Sequence, residues 1–232
     1  MLWLALLACA EPTKNEVEMT GIILSGLDAT TGAADVDLMV RDGNTEDFSQ
    51  TTTDEDGRFT VKVPASSVMH LEIDGSGYVP TAFSATSGAA NFEVPVGALW
   101  LRSELEVETL KDTFENCPSV DMPGGVIEGE VHFNAVHDTS ESHLIAEEAS
   151  VIVYEADGTT HTVCYLDTEG ESLPEGEEVG ATGRFAAFGI PAGPITVGFT
   201  SYLGEQSQES FGYVLLPDNG VGPFYPALIQ FP

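Results

Sequence analysis

The chain carries the same turn and strand twice, and this repeat limits the possible folds more than any other feature. Residues 55–60 read Glu-Asp-Gly-Arg-Phe-Thr, and residues 181–186 read Ala-Thr-Gly-Arg-Phe-Ala. In both copies an apolar segment ending on Asp-Gly comes before this motif, and a proline, Pro64 or Pro191, comes soon after it. Three features in the same order predict that the chain contains a duplicated unit.

Short apolar runs separated by turn residues make up both copies. Residues 36–40 alternate between apolar and polar, and residues 59–63 place Phe59, Val61 and Val63 on one face of a strand. Further strands are predicted at 21–24, 68–73, 78–83, 91–96, 126–133 and 149–158. Strands at this spacing, with no sustained helical period in the first half, favour an all-β fold made of sandwiches.

The first copy closely resembles the carboxypeptidase regulatory-like domain. The residues that carry the resemblance are the strand at 21–24, Thr31-Gly32, the strand at 36–40, the turn at 53–59 and Gly77-Tyr78-Val79-Pro80. The resemblance implies a transthyretin-like (prealbumin) β-sandwich, in a family whose members are usually non-catalytic spacers, adhesion stalks or accessory modules.

The resemblance covers residues 19–98 well and 124–232 less well. The second copy lacks the Gly-Tyr-x-Pro element and carries acidic insertions at 134–148 and 167–180. It implies two tandem transthyretin-like domains, joined by an interdomain segment at 99–123. Within that segment, residues 103–115 fit either a pair of strands or one helix.

The first nine residues, MLWLALLAC, form an apolar run that ends in Cys9. The run is too short to span a bilayer, which needs about 20 apolar residues, but it fits the core of a signal peptide. Residues 6–9 resemble the lipobox of bacterial lipoproteins, which implies a signal peptide at 1–8, acylation of Cys9 and a polar tether at 9–18. The absence of Asp directly after Cys9 favours the outer membrane. The alternative is an ordinary secretory signal with a chance cysteine.

The charge of the chain excludes one class of function. Seven Lys and Arg against 38 Asp and Glu give a formal net charge of -31, which repels nucleic acid and anionic lipid surfaces. The acidity indicates either attraction to cations and basic partners or simply a solvated surface.

Two cysteines remain if Cys9 is lipidated, namely Cys117 and Cys164. An oxidising compartment favours a disulfide between them, although two separate thiols are also compatible with the sequence. In the chain-entropy model a loop of this size contributes about 4 kcal/mol.

Two groups of residues are candidates for metal binding. Asp54 and Asp56 lie on an acidic turn where oxygen ligands for Ca²⁺ would converge, but the same residues serve a structural turn equally well. His132, His137 and His143 lie close together and are candidate Zn²⁺ or Cu²⁺ ligands, or else solvated loop histidines.

No pattern in the sequence indicates catalysis. None of the five histidines has a Glu three residues later, and the chain has no Gly-x-Ser-x-Gly elbow and no phosphate-binding glycine loop. Aromatic residues near the end are interpreted as core residues of the last strands, with a sugar groove as the alternative: Phe211, Tyr213, Phe224, Tyr225 and Phe231.

We therefore predict a non-catalytic, lipid-anchored binding and scaffolding protein of the outer membrane that uses no cofactor. Its expected partners are the membrane, through the anchor, and a protein or carbohydrate of the cell envelope, with no nucleic acid. The alternative function is a metal-dependent or carbohydrate-active enzyme with its site in loops of the second domain.

Overall fold

The computed structural model describes residues 15–27, 29–43, 48–135, 144–145, 149–167, 169–173, 183–203 and 206–231. The first half of the molecule contains β1 (Glu16–Ile22), β2 (Asp37–Asp42), β3 (Phe48–Thr52), β4 (Arg58–Pro64), β5 (Val68–Asp74), β6 (Tyr78–Val79), β7 (Thr81–Thr86), β8 (Phe92–Glu93) and β9 (Arg102–Ser103). It is followed by α1 (Glu104–Thr113). The second half contains β10 (Gly125–Ala135), β11 (Leu144–Ile145), β12 (Ala149–Glu155), β13 (Thr160–His161), β14 (Cys164–Leu166), β15 (Ser172–Leu173), β16 (Arg184–Ile190), β17 (Gly193–Leu203), β18 (Gln206–Leu216) and β19 (Val221–Phe231). The predicted all-β fold is confirmed.

The first half is a sandwich of two layers. Strand β1 pairs with β4 antiparallel and with β8 parallel, and the opposite layer runs β3-β2-β5-β7. Alternate side chains of β4 point inward, so that Phe59, Val61 and Val63 are buried as predicted. They pack against buried residues of the other layer, including Leu38 and Leu71.

The second half repeats this topology. Strand β10 pairs with β16 antiparallel and with β19 parallel, and the opposite layer runs β13-β12-β17-β18. The core between the two layers contains the buried side chains of Ile127, Val153, Phe185, Val197 and Phe199. The rings of Phe185 and Phe199 meet edge to face, with 5.9 Å between their centroids.

One close contact is equivalent in the two halves and explains the repeated Gly-Arg-Phe motif. Gly21 of β1 lies opposite Phe59 of β4, and Gly129 of β10 lies opposite Phe185 of β16. A Cβ atom would stand 2.9 Å from the Phe59 ring at Gly21 and 2.6 Å from the Phe185 ring at Gly129. Because each ring folds over a glycine that has no side chain, the same pair of residues shapes both cores, which supports the predicted duplication.

The two halves share one ten-stranded sheet. Its strand order is β15-β14-β16-β10-β19-β7-β5-β2-β3, and the tenth strand, β11, pairs with β10 outside this order. The junction is the parallel pairing of β19 with β7 at Val221 and Thr81, which both have no solvent exposure. The amide of Val221 donates a hydrogen bond of 2.8 Å to the carbonyl of Pro80.

The segment between the halves contains a helix, which resolves the two alternatives left open by the sequence. Ser103 caps α1 through a capping box: its hydroxyl accepts from the Glu106 amide, and the Glu106 carboxylate accepts from the Ser103 amide. Val107 and Leu110 of α1 and the following Phe114 pack into a third core against the second half.

A disulfide joins Cys117 to Cys164, as predicted, with 5.8 Å between their Cα atoms. Both residues are buried in the third core. The bond therefore fastens the chain after α1 to β14 in the ten-stranded sheet.

The structure also shifts some element boundaries. Strand β1 begins at Glu16, within the stretch expected to be a tether, because buried Val17 and Met19 alternate with exposed Glu16 and Glu18. The strand predicted at 78–83 is divided at Pro80 into β6 and β7, since proline lacks the amide hydrogen that a ladder needs. Within the described ranges, no helix is long and apolar enough to cross a membrane.

Candidate functional site

The acidic turn at Asp54 is held together by its own backbone. One carboxylate oxygen of Asp54 accepts hydrogen bonds from the amides of Asp56 (3.0 Å) and Arg58 (2.8 Å). Gly57 adopts a φ of 76° and packs against Gly32, a conformation in which a side chain would be strained. The Asp54 carboxylate thus stabilises a tight turn, and the part of the chain that the structure describes holds no group of three or more His, Cys, Asp or Glu side chains placed for a metal ion.

The histidine hypothesis falls largely outside the described residues. His132 lies in β10, at a position that pairs with Leu228 of β19 and Ile145 of β11. His137 and His143 lie outside the described residues, as does Cys9, and their proposed roles stay predictions.

The aromatic residues near the end are divided between core and surface. Phe224 packs against the second core, with its ring 5.9 Å from that of Phe199. The expectation that Phe211 and Tyr213 are core residues is wrong, because they are 52% and 57% exposed on the outer face of β18. The side chains of Tyr225 and Phe231 lie outside the described part of the structure.

A cleft of about 840 Å³ opens where the two halves meet. The first half contributes the loop after β1 with Ser25, the turn before β6 with Ser76, and Tyr78 of β6. The start of α1 contributes further polar groups, and the second half contributes Glu130 of β10 and Arg184 of β16. The size falls within the range of about 300 to 1,000 Å³ that is typical of small-molecule sites.

An ion pair and a stacking contact hold the side chain of Arg102 in the cleft. Its Nε and Nη2 atoms donate hydrogen bonds of 2.7 Å to the two carboxylate oxygens of Glu128, whose side chain is fully buried. The guanidinium also stacks over Trp100, with 5.0 Å from Cζ to the ring centroid. A bidentate ion pair of this kind fixes the guanidinium plane, and it ties the first half to β10.

Ser103 and Glu106 place a second polar group at the edge of the cleft. One oxygen of the Glu106 carboxylate accepts 2.7 Å hydrogen bonds from both the amide and the hydroxyl of Ser103. Its other oxygen approaches Gly26, where a Cβ atom would stand only 3.1 Å away. The glycine lets the loop after β1 close over the start of α1.

Glu130 and Arg184 form the second-half wall of the cleft. They occupy directly opposite positions on the antiparallel strands β10 and β16, and both are half-buried. Opposite charges at facing positions of a sheet attract each other. The arginine of the second Gly-Arg-Phe motif therefore has a place in the cleft, whereas its counterpart Arg58 is exposed.

Sequence reasoning missed this cleft. Its residues lie in five separate stretches from Ser25 to Arg184, and none of those stretches has a motif for binding. The one local signal was the Ser-x-x-Glu pattern at 103–106, which predicts the start of a helix and hence the position of its first turn.

Comparisons with known proteins identify no family. No protein-family model matches the chain, and no curated protein matches it in sequence. Among solved structures, the chain aligns with the TIE protein of Bacillus anthracis (TM-score 0.29, 15% identity, 93% of this chain and 34% of that one). It also aligns with GBS52, the minor pilin of Streptococcus agalactiae (0.30, 11%, 93% and 97%), and with a streptococcal ancillary pilin (0.27, 12%, 96% and 64%). The chain thus spans about a third of the TIE protein. TM-scores this low do not establish a shared fold.

Proposed function

We propose that this protein is a non-catalytic binding and scaffolding module of the cell envelope, anchored by lipid at Cys9. The observation that carries the proposal is the disulfide between Cys117 and Cys164, which is buried in a core that joins α1 to the ten-stranded sheet. Disulfides of this structural kind persist in oxidising compartments such as the periplasm or the cell surface. A disulfide placed in this way therefore supports export, which the apolar residues 1–8 also predict.

The scaffolding role is supported by the way in which the two halves are joined. The shared sheet, the buried Arg102–Glu128 pair and the third core all cross the junction or its connecting segment. A continuous sheet resists relative motion of the halves far better than a polar linker would. Such a body can hold a ligand site at a fixed distance from the membrane.

The proposed anchor keeps that body near the bilayer. Strand β1 begins at Glu16, which leaves six residues between it and the proposed anchor at Cys9, and six residues span at most about 20 Å when fully extended. Two acyl chains hold a protein stably on a membrane, whereas a single chain does not. The outer membrane remains the proposed location.

The chemistry of the described residues supports a non-catalytic role. The carboxylates of Asp54, Glu106 and Glu128 are each engaged in hydrogen bonds that maintain a turn, a helix cap or an ion pair. The alternative, a metal-dependent or carbohydrate-active enzyme, depends on the loops at 134–148 and 167–180, which lie mostly outside the described residues.

Metabolic labelling with a palmitate analogue tests the anchor. The wild-type protein is expected to take up the label and to fractionate with the outer membrane, whereas Cys9→Ser is expected to take up none and to be released. Cys117→Ala combined with Cys164→Ala is the matched control, because it removes the other two thiols and leaves Cys9 in place. Equal labelling of wild type and Cys9→Ser would contradict the proposal.

A further inference from the structure

The cleft between the halves is lined mainly by polar groups. Ser25, Ser76 and Ser103 contribute hydroxyl groups, and Arg102, Arg184, Glu106 and Glu130 contribute charged groups of both signs. The other side chains that line it are those of Tyr78, Leu27 and Ala29. A ligand complementary to these walls is rich in both hydrogen-bond donors and acceptors, and is not a lipid or an acyl chain.

The charges of the cleft point to a ligand without net charge. Arg102 is matched by Glu128, and Arg184 faces Glu130 across the strands. The whole chain has a formal net charge of -31, and such a field opposes the approach of anions. Within the cleft itself, the two arginines are balanced by the carboxylates of Glu106 and Glu130, so neither sign of charge dominates at its walls.

The polar groups are also fixed before any ligand binds. Glu128 and Trp100 hold the Arg102 guanidinium from its edge and from its face, and the capping box holds the Glu106 carboxylate. Planar groups such as guanidinium and carboxylate form hydrogen bonds in pairs, which matches the adjacent hydroxyl groups of a polyol. Because these groups are already fixed, less conformational entropy is lost when a ligand binds. Tyr78 also lines the cleft, and its half-buried side chain packs against the first core, which fixes its position.

We propose that the cleft between the halves binds a neutral, polyhydroxylated ligand, namely a short stretch of uncharged carbohydrate. This inference rests on the proposed binding role, and it assigns to that role a site and a class of ligand. The ligand contacts both halves at once, so the site exists only where the shared sheet joins them.

Isothermal titration of the full chain, purified from the envelope in detergent, tests the proposal. The probes are neutral trisaccharides (maltotriose, cellotriose, mannotriose and triacetylchitotriose), trigalacturonate as the anion and trilysine as the cation. At least one neutral trisaccharide is expected to bind, with a Kd that stays constant from about 0.05 M to about 0.5 M salt, because no net charge is screened.

Ser76→Trp is the blocking variant, since Ser76 is an exposed turn residue at which an indole would project into the cleft without disturbing a core. It is expected to weaken binding by roughly tenfold or more. Thr60→Trp is the matched control, because it adds the same ring at an exposed position on β4 that does not line the cleft. Equal melting temperatures of both variants would show that each is folded.

Three results would overturn the inference. They are binding of trigalacturonate or trilysine alone, no binding of any probe, and unchanged binding of the neutral sugar by Ser76→Trp. None of them affects the test of the proposed anchor, because acylation at Cys9 is measured independently on whole cells.

Discussion

Removal of the disulfide is expected to cost about 4 kcal/mol of the free energy of unfolding. Cys117 and Cys164 are 47 residues apart in the sequence, and the chain-entropy model assigns a loop of this length about 13 to 14 cal/mol/K of lost entropy in the unfolded state, or about 4 kcal/mol at 25 °C. The double substitution of Cys117→Ala with Cys164→Ala removes the cross-link and also two buried sulfur atoms. The lost packing adds about 1 kcal/mol for each group of this size.

Guanidinium chloride unfolding, followed by circular dichroism, measures both contributions. We compare three samples: the oxidised wild type, the wild type in reducing agent and the double variant. Because the reduced wild type keeps both sulfur atoms, its difference from the oxidised protein isolates the effect of the cross-link. We expect the reduced protein to be less stable than the oxidised one by about 4 kcal/mol, and the double variant to be less stable still. A difference in the free energy of unfolding below about 1 kcal/mol between oxidised and reduced wild type would refute the reasoning. It would mean that residual structure already restricts this loop in the unfolded chain, so that the cross-link removes little further entropy.

Two further perturbations separate core from surface and test a buried hydroxyl. Phe59→Ala is expected to lower the free energy of unfolding by about 3 to 5 kcal/mol, because Phe59 is 4% exposed. Phe211→Ala, on the outer face of β18, should change it by less than about 1 kcal/mol. Equal losses of the two variants in denaturant unfolding would contradict the assigned burial. Burial raises the pKa of Tyr165, whose hydroxyl bonds the backbone of Val151. Since the unfolded chain then ionises first, the wild type is expected to lose stability as the pH rises from about 10, and Tyr165→Phe to lose less. Parallel pH profiles of the two melting temperatures would disprove this assignment.

The local part of the fold was predictable from the sequence. Strand β4 follows from apolar alternation. The turn at Asp54 follows from its Asp and Gly residues, and β16, which does not alternate, follows from the repeat of the Gly-Arg-Phe motif. The start of β1 was missed because Glu16 and Glu18 make the strand polar on its outer face, and a short alternating strand with charged neighbours resembles a tether.

The long-range part of the fold was not predictable. The parallel pairs of β10 with β19 and of β19 with β7 join residues far apart in the chain, and no local pattern encodes them. The cleft shares this property, because it exists only after Ser25 and Arg184 have been brought together. The exposure of Phe211 and Tyr213 was misjudged because an aromatic strand has the same composition whether its rings face a core or the solvent.

The position of β19 has a consequence for how the protein matures. This strand follows every other described strand in the sequence, yet it lies in the interior of the sheet, between β10 and β7. A chain synthesised from its N-terminus therefore leaves β7 and β10 without this partner until β19 has been made. Open edges are the sites at which strands of other molecules add. The interval before β19 pairs is when the nascent protein most needs a chaperone, and a chain truncated before β19 would keep both edges exposed.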